Sequence, residues 1–300
     1  MTRELMKILK DDAVQGRIIQ GVGGFYYISH EGREIRGTAR GILKRDKDIL
    51  YIGDIVKYEM IGDDEFVITD VIERKNFLLR PPVSNLDKLI VCFSAASPEP
   101  NMYVVDKLCV GAETRGIEVM ICISKIDLAD KDKLDIYISR FEDVYPVFPL
   151  SSVSGEGIED FREAIKNSNS VLAGASGVGK STLLNKLIGS EIAETGSISD
   201  KMKRGRHTTR SVRIYELSNG TNLYDTPGFS SLDLPEIDQY ELSDYFPEML
   251  RFKGECRYSD CMHINEPDCA VKASLESGVI SRSRYDSYKK MLEEVIKWQK

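Results

Sequence analysis

The sequence predicts a multidomain chain. An N-terminal five-stranded β-barrel of the OB-fold class is followed by a central α/β domain with a mostly parallel sheet, and then by a C-terminal α-helical domain. Three observations carry this reading. Five short strand-like runs follow one another before residue 80. From Leu86 strands alternate with helices, and one strand-to-helix junction, Gly174-Ala175-Ser176-Gly177-Val178-Gly179-Lys180-Ser181, reads G-x-x-x-x-G-K-S. Near the end, Cys256, Cys261, His263 and Cys269 crowd together. The expected boundaries are 1–80, 83–230 and 231–300.

Composition sets the limits. The chain has 300 residues, 42% apolar and 30% charged, enough for two or three ordinary globular domains. No apolar run reaches the length of a membrane span, and Met1-Thr2-Arg3-Glu4 lacks the apolar segment of a signal peptide. A cytoplasmic chain with reduced cysteines is therefore expected. The net charge of −7 argues against indiscriminate nucleic-acid binding, and no DNA partner is expected. Without heptads, a monomer is expected.

In the barrel, residues 15–20, 24–28, 34–40, 53–59 and 66–72 read as short strands separated by Gly, Asp or other polar residues. Five strands with variable loops fit an OB-fold. Such barrels bind oligonucleotides through exposed aromatic and basic side chains. Tyr26, Arg36, Arg40, Lys44 and Arg45 are the candidates. Arg80-Pro81-Pro82 then predicts a stiff linker.

In the central domain, residues 89–94, 117–123 and 147–150 read as buried strands, with helical spacing over 104–114 and about 131–143. This alternation argues for a sheet covered on both faces. The glycine-rich stretch follows an apolar run and opens a helical pattern through Leu183, Leu184, Leu187 and Ile188, as a phosphate-binding loop requires. Glycines let successive backbone N–H groups face an anion, and the helix N-terminus adds a favourable dipole. Lys180 can reach the β- and γ-phosphates, and the Ser181 hydroxyl, with Thr182 behind it, can sit on Mg²⁺.

Ser124-Lys125-Ile126-Asp127, at a strand's end, resembles the N/T-K-x-D motif by which GTPases read guanine. A carboxylate at Asp127 can accept from N1–H and the 2-amino group of guanine, whereas adenine has neither donor there. Lys125 would lie along the base plane. Ser124 stands where Asn is commoner, so a contact to N7 or to the phosphate loop is expected to be weaker. Ser151-Ser152-Val153 resembles the S-A-K loop that backs the base. Downstream, Asp225-Thr226-Pro227-Gly228 reads D-x-x-G. There Asp225 suits a water-mediated Mg²⁺ role, and the Gly228 N–H can meet the γ-phosphate. Gly205-Arg206-His207-Thr208-Thr209 supplies a switch threonine for Mg²⁺, either Thr208 or Thr209. Lys201, Lys203, Arg204, Arg206, Arg210 and Arg213 surround it, a local basic patch that fits RNA phosphates.

In the tail, three thiolates and one imidazole match a closed tetrahedral structural zinc site, with no position left for a reacting water. Cys92, Cys109 and Cys122 lie in apolar patterns and read as core. Amphipathic helices are expected over residues 237–250 and 285–298 around a small core, to which the metal adds folding energy.

Motif order narrows the reading. In Ras-like GTPases the phosphate loop comes first and the guanine motifs last; here the guanine motifs precede the loop. This looks like a circular permutation, which a parallel sheet tolerates if the original ends lie close together. With the barrel and the Cys/His segment, it resembles the ribosome small-subunit-dependent GTPase A (RsgA) family over essentially the whole chain. The resemblance implies hydrolysis of GTP to GDP with Mg²⁺, slow alone and stimulated by the small (30S) ribosomal subunit. It also implies a role in late subunit maturation, with barrel and zinc tail gripping rRNA. Ras-like enzymes place a Gln after the D-x-x-G glycine; here Phe229 follows and cannot orient water. His207 is the nearest polar substitute, and the resemblance supports a catalytic role for it. Two other readings are a GTP-gated RNA-binding switch with incidental turnover and an ATP-driven enzyme, which Asp127 disfavours.

Overall fold

A computed structural model describes residues 14–41, 49–195 and 212–298. In chain order, five strands come first: β1 (Val14–Val22), β2 (Phe25–His30), β3 (Arg33–Ala39), β4 (Ile55–Ile61) and β5 (Glu65–Val71). Two short strands, β6 (Phe77–Leu78) and β7 (Val83–Ser84), pair as a hairpin. Then β8 (Lys88–Ser94), α1 (Met102–Glu113), β9 (Glu118–Ser124), α2 (Lys131–Ser139) and β10 (Val147–Leu150) alternate. They are followed by α3 (Ile158–Ala164), β11 (Asn169–Ala173) and α4 (Lys180–Thr195). The strands β12 (Arg213–Glu216) and β13 (Asn222–Asp225) precede the helices α5 (Pro247–Leu250), α6 (Ala270–Glu276) and α7 (Arg282–Trp298). No helix among the described residues is long and apolar enough to cross a membrane.

The chain divides into two compact units, and neither is continuous in sequence. The first takes the described residues of 1–87, 167–171 and 190–227; the second takes those of 88–166, 172–189 and 228–300.

In the first unit, β1 to β5 close as a barrel. The order is β1-β2-β3-β5-β4, with β4 returning to β1, and the β3–β5 pairing is the parallel one. This is the five-stranded OB-like arrangement the strand pattern predicts. Alternation fills it: Ile18, Ile28, Ile35, Val56, Tyr58, Phe66 and Ile68 point inward and are almost fully buried. Gly37 is obligatory here, because a Cβ on it would lie 2.3 Å from the Phe66 carbonyl oxygen. β1 also pairs with β12 at Gln20↔Arg213, and β12 pairs antiparallel with β13.

The proline stretch Arg80-Pro81-Pro82, expected as a stiff linker, lies within a short hairpin. It forms the turn between β6 and β7, where the Val83 N–H donates to the Pro81 carbonyl at 2.9 Å. Leu78 and Val83 are fully buried, so the apolar residues flanking the prolines draw the segment back onto the unit.

In the second unit, β8, β9 and β10 are parallel in the order β10-β9-β8. Their near-continuous apolar runs suit strands covered on both faces. The register aligns Ser94 with Ser124, and Ser124 with Leu150, so three strand ends lie side by side. The tail packs into this unit. Phe246, Met249, Tyr285, Tyr288, Met291 and Leu292 share one cluster with Val110 of α1. The expected helix over 237–250 is not formed. A 3₁₀ turn, Leu242–Tyr245, is followed by α5, which starts at Pro247. Proline has no N–H to continue a helix but suits the first turn of a new one.

Arg284 on α7 is fully buried and donates to Glu248 at 2.7 and 3.1 Å and to Asp106 of α1 at 2.8 Å. Asp106 also accepts from Arg140. The rings of Phe141, Tyr145 and Phe246 surround the guanidinium. Two carboxylates thus hold Arg284 charged against its desolvation. Arg284→Ala would leave both acids buried without that partner. The expected cost is about 3–5 kcal/mol of stability, read as a lower urea midpoint; an unchanged midpoint would contradict it.

Candidate functional site

The phosphate loop leaves β11 at Gly174 and enters α4 at Lys180. Gly174 has a φ of 144°, and a Cβ there would lie 2.0 Å from the Cys92 carbonyl oxygen. Gly177 and Gly179 have φ values of 80° and 100°, also in the region glycine favours. Ala175, Ser176, Gly177, Ser181 and Thr182 face solvent, while Val178 is buried. Lys180 Nζ donates to the Gly174 and Ala175 carbonyls at 2.5 and 2.8 Å. Burial lowers its ammonium pKa, so an anion would restore favourable surroundings. The Gly174 N–H donates to the Phe229 carbonyl at 2.8 Å. Phe229, which stands where Ras-like enzymes place Gln, is thus a buried packing residue that ties the exit of D-x-x-G to the loop.

The structure brings the first candidate guanine motif against this loop. Ser124 Oγ lies 2.5 Å from the Val178 carbonyl and 3.1 Å from that of Phe93. The contact to the phosphate loop, expected to weaken with Ser in place of Asn, is short. Lys125 has a φ of 60°, and its Nζ donates to the Ser97 and Gly177 carbonyls at 2.6 and 2.7 Å. Ile126 and Asp127 then turn in a 3₁₀ segment that leaves the Asp127 carboxylate exposed. At the end of neighbouring β10, Ser151 Oγ accepts from the Val153 and Ser154 N–H groups at 3.2 and 3.1 Å. Ser152, half-buried, follows Ser151 in this turn. The Phe93 and Ser97 carbonyls escape a reading of side-chain types, because any residue can supply them.

In the first unit, Asp225 ends β13, and burial raises its carboxyl pKa. Tyr224 before it is fully buried; its hydroxyl donates to the Ser84 carbonyl at 3.0 Å and accepts from Arg17 at 3.3 Å. A Cβ at Gly53 would come 2.5 Å from the same hydroxyl. The sequence offers no sign of this anchorage beyond the aromatic residue itself. Gly228 falls in the second unit. His207, Thr208 and Thr209 lie outside the described residues, as do Lys201, Lys203, Arg204, Arg206, Arg210, Lys44 and Arg45.

The described basic candidates are engaged within the protein. Arg213 pairs with Glu34 at 2.6 Å and bonds Gln20, Arg36 pairs with Glu65 at 3.0 Å, and Arg40 pairs with Glu59 at 2.7 Å. On the barrel surface Arg36 covers the exposed ring of Phe25, while Tyr26 is half-buried.

Four tail residues meet as a candidate metal centre. One ligand atom from each of Cys256, Cys261, His263 and Cys269 lies within 4.8 Å of the others. With bonds of about 2.3 Å to sulfur and about 2.0–2.1 Å to nitrogen, tetrahedral zinc puts S···S near about 3.8 Å and S···N near about 3.6 Å. Cys256 Sγ–Cys269 Sγ is 3.8 Å, Cys256 Sγ–His263 Nδ1 is 3.6 Å and His263 Nδ1–Cys269 Sγ is 3.3 Å. The donor set therefore fits zinc. The hydroxyls of Tyr285 and Tyr288 bind the His263 and Met262 carbonyls, and Glu266 accepts three backbone N–H groups around the loop.

Gly174→Ala is the sharpest probe of the phosphate loop. An added Cβ would collide with backbone rather than with a flexible side chain. Nucleotide affinity, read by equilibrium titration, is expected to fall at least about tenfold. Retained affinity would show that the loop shifts without penalty.

Comparison with known proteins identifies the family. Residues 71–235 match the family described as RsgA GTPase, and residues 15–68 match the RsgA N-terminal domain. The small ribosomal subunit biogenesis GTPase RsgA of Caldanaerobacter subterraneus subsp. tengcongensis is 40% identical over 290 residues, covering 96% of this chain and 98% of its own length. That of Alkaliphilus metalliredigens is 38% identical over 286 residues, covering 94% and 98%. Among solved structures, YjeQ from Thermotoga maritima superposes with a TM-score of 0.80 at 33% identity, covering 94% of this chain and 98% of its own. YloQ, described as a circularly permuted GTPase, gives 0.78 at 34% identity and covers 96% of both chains. These matches run along nearly the whole length, and the chain belongs to the RsgA family of GTPases.

Proposed function

We propose that this chain acts in small ribosomal subunit biogenesis as a GTP-hydrolysing factor, slow alone and accelerated by the subunit. The observation that carries the guanine-nucleotide part is the bonding of Ser124 and Lys125 to the phosphate-loop carbonyls of Val178 and Gly177. It joins a base-reading motif to a phosphate-reading one across half of the central domain. The names of the relatives support the ribosomal part.

In this reading residues 1–80 are the RNA-binding barrel, 83–230 the permuted GTPase and 231–300 the zinc-binding domain. Gly174 to Thr182 would cradle the phosphates, with Lys180 turning from its own loop carbonyls to the β- and γ-phosphates. Asp127 would accept from guanine, Ser151 and Ser152 would back the base, and the Gly228 N–H would meet the γ-phosphate. Bound Mg²⁺ would neutralise charge on the phosphates. Ser181 with Thr208 or Thr209 would hold it, and Asp225 would do so through water. His207 would orient the attacking water, since Phe229 is buried in packing. Zinc held by Cys256, Cys261, His263 and Cys269 would supply folding energy and no chemistry, because the four ligands fill a tetrahedral shell. The chain would work in the cytoplasm as a monomer on late small-subunit precursors, through contacts to rRNA.

Three experiments test this. GTP hydrolysis by the full chain should rise with added small subunits and not with large subunits or free RNA. His207→Ala should abolish most of that rise while leaving nucleotide affinity unchanged. Stimulation by large subunits alone would overturn the ribosomal assignment, and an unchanged stimulated kcat in the variant would overturn the role of His207. Chelation of zinc should lower Tm and open residues 256–269 to hydrogen exchange; unchanged Tm and protection would count against a structural metal.

A further inference from the structure

We infer that this chain recognises guanine without a contact from Ser124 to the base N7, so that Ser124 serves the phosphate loop alone. The inference rests on the guanine-nucleotide reading above and deepens it. Ser124 ends β9, immediately before Lys125, and is 5% exposed. Its hydroxyl has two near neighbours, the Val178 carbonyl at 2.5 Å and the Phe93 carbonyl at 3.1 Å. Both are acceptors only, and a hydroxyl carries a single proton. The shorter contact takes that proton, so the hydroxyl is committed to the loop.

Purine N7 is also an acceptor only. A contact to it needs a second donor at this position, and Ser124 has none. An asparagine amide carries two N–H groups and could hold a loop carbonyl with one while offering the other to the base. Serine keeps the first function and loses the second. The neighbourhood reinforces this. A Cβ on Gly179 would lie 3.9 Å from Ser124 Oγ, so the hydroxyl sits under the loop rather than out towards solvent. Discrimination of guanine then falls to the exposed Asp127, which faces the opposite kind of chemistry: two donors on the base edge rather than an acceptor on the five-membered ring.

The test compares GDP with 7-deaza-GDP, which replaces N7 by C–H, in competition against a ribose-labelled fluorescent GDP on the full chain with Mg²⁺. The native chain should bind both within about twofold, because no hydrogen bond is lost. Ser124→Asn should favour GDP over 7-deaza-GDP by about five- to tenfold, the effect of one added hydrogen bond. Ser124→Ala should weaken both by the same factor, since it removes only the loop tie. A preference of the native chain for GDP of about fivefold or more would overturn the inference. So would a Ser124→Asn protein that binds both nucleotides alike. If the Asn variant does not fold, the native comparison still decides. ADP competing as well as GDP would instead bring down the guanine reading itself, and this inference with it.

Discussion

The second unit depends on side chains at the end of one strand holding carbonyls of a loop more than fifty residues later. Ser124 and Lys125 bond to Val178 and Gly177, at sequence separations of 54 and 52. Everything around them serves that contact. Parallel pairing sets the ends of β8, β9 and β10 level, Lys125 adopts a left-handed backbone, and Gly174 lets the loop approach Cys92 where no other residue fits. Carbonyls held by charged and hydroxyl donors cannot drift, so the N–H groups of the same peptides are fixed in direction. A loop shaped before its anion arrives loses less entropy on binding.

Much of this was legible in the sequence, for identifiable reasons. The barrel strands are short and bounded by polar turns, and the phosphate loop has to be glycine-rich where the backbone turns left-handed. The Cys/His cluster was legible because few structures other than a metal site gather those four groups. What escaped was decided by tertiary context. Residues 237–250 carry helical spacing, but Pro247 interrupts it and Leu242, Phe246 and Met249 find their burial without a continuous helix. The prolines at 81 and 82 suggested a stiff linker, yet the neighbours Leu78 and Val83 are buried and turn it into a hairpin. Arg284 lies one residue before the helix expected over 285–298 and belongs to no motif; only the fold supplies Asp106 and Glu248. Phe93 and Ser97, whose carbonyls face Ser124 and Lys125, act through main-chain oxygens, for which residue identity is silent.

The tail is less independent than its cluster of ligands suggests. Its aromatic residues share a core with Val110, and its buried arginine bridges to α1. A metal there would stiffen one loop of a body already anchored by packing, as the tyrosine hydroxyls bound to the carbonyls of Met262 and His263 also do. The binding free energy of the ion and the burial of the aromatic face therefore act on the same element and need not add independently.

The discontinuity of both units has a consequence for synthesis. A ribosome delivers chain from the N-terminus, and domains fold as their residues emerge. The barrel strands appear early, but β1 waits for Arg213 to cover its edge, and Ser84 and Arg17 wait for Tyr224. Strands β8 to β10 can assemble next, before the phosphate loop they will hold exists. Asp106 waits longest, until Arg284 arrives near the C-terminus. The strand end that carries Ser124 and Lys125 is thus laid down first, and the glycine-rich loop is hung on it more than fifty residues later.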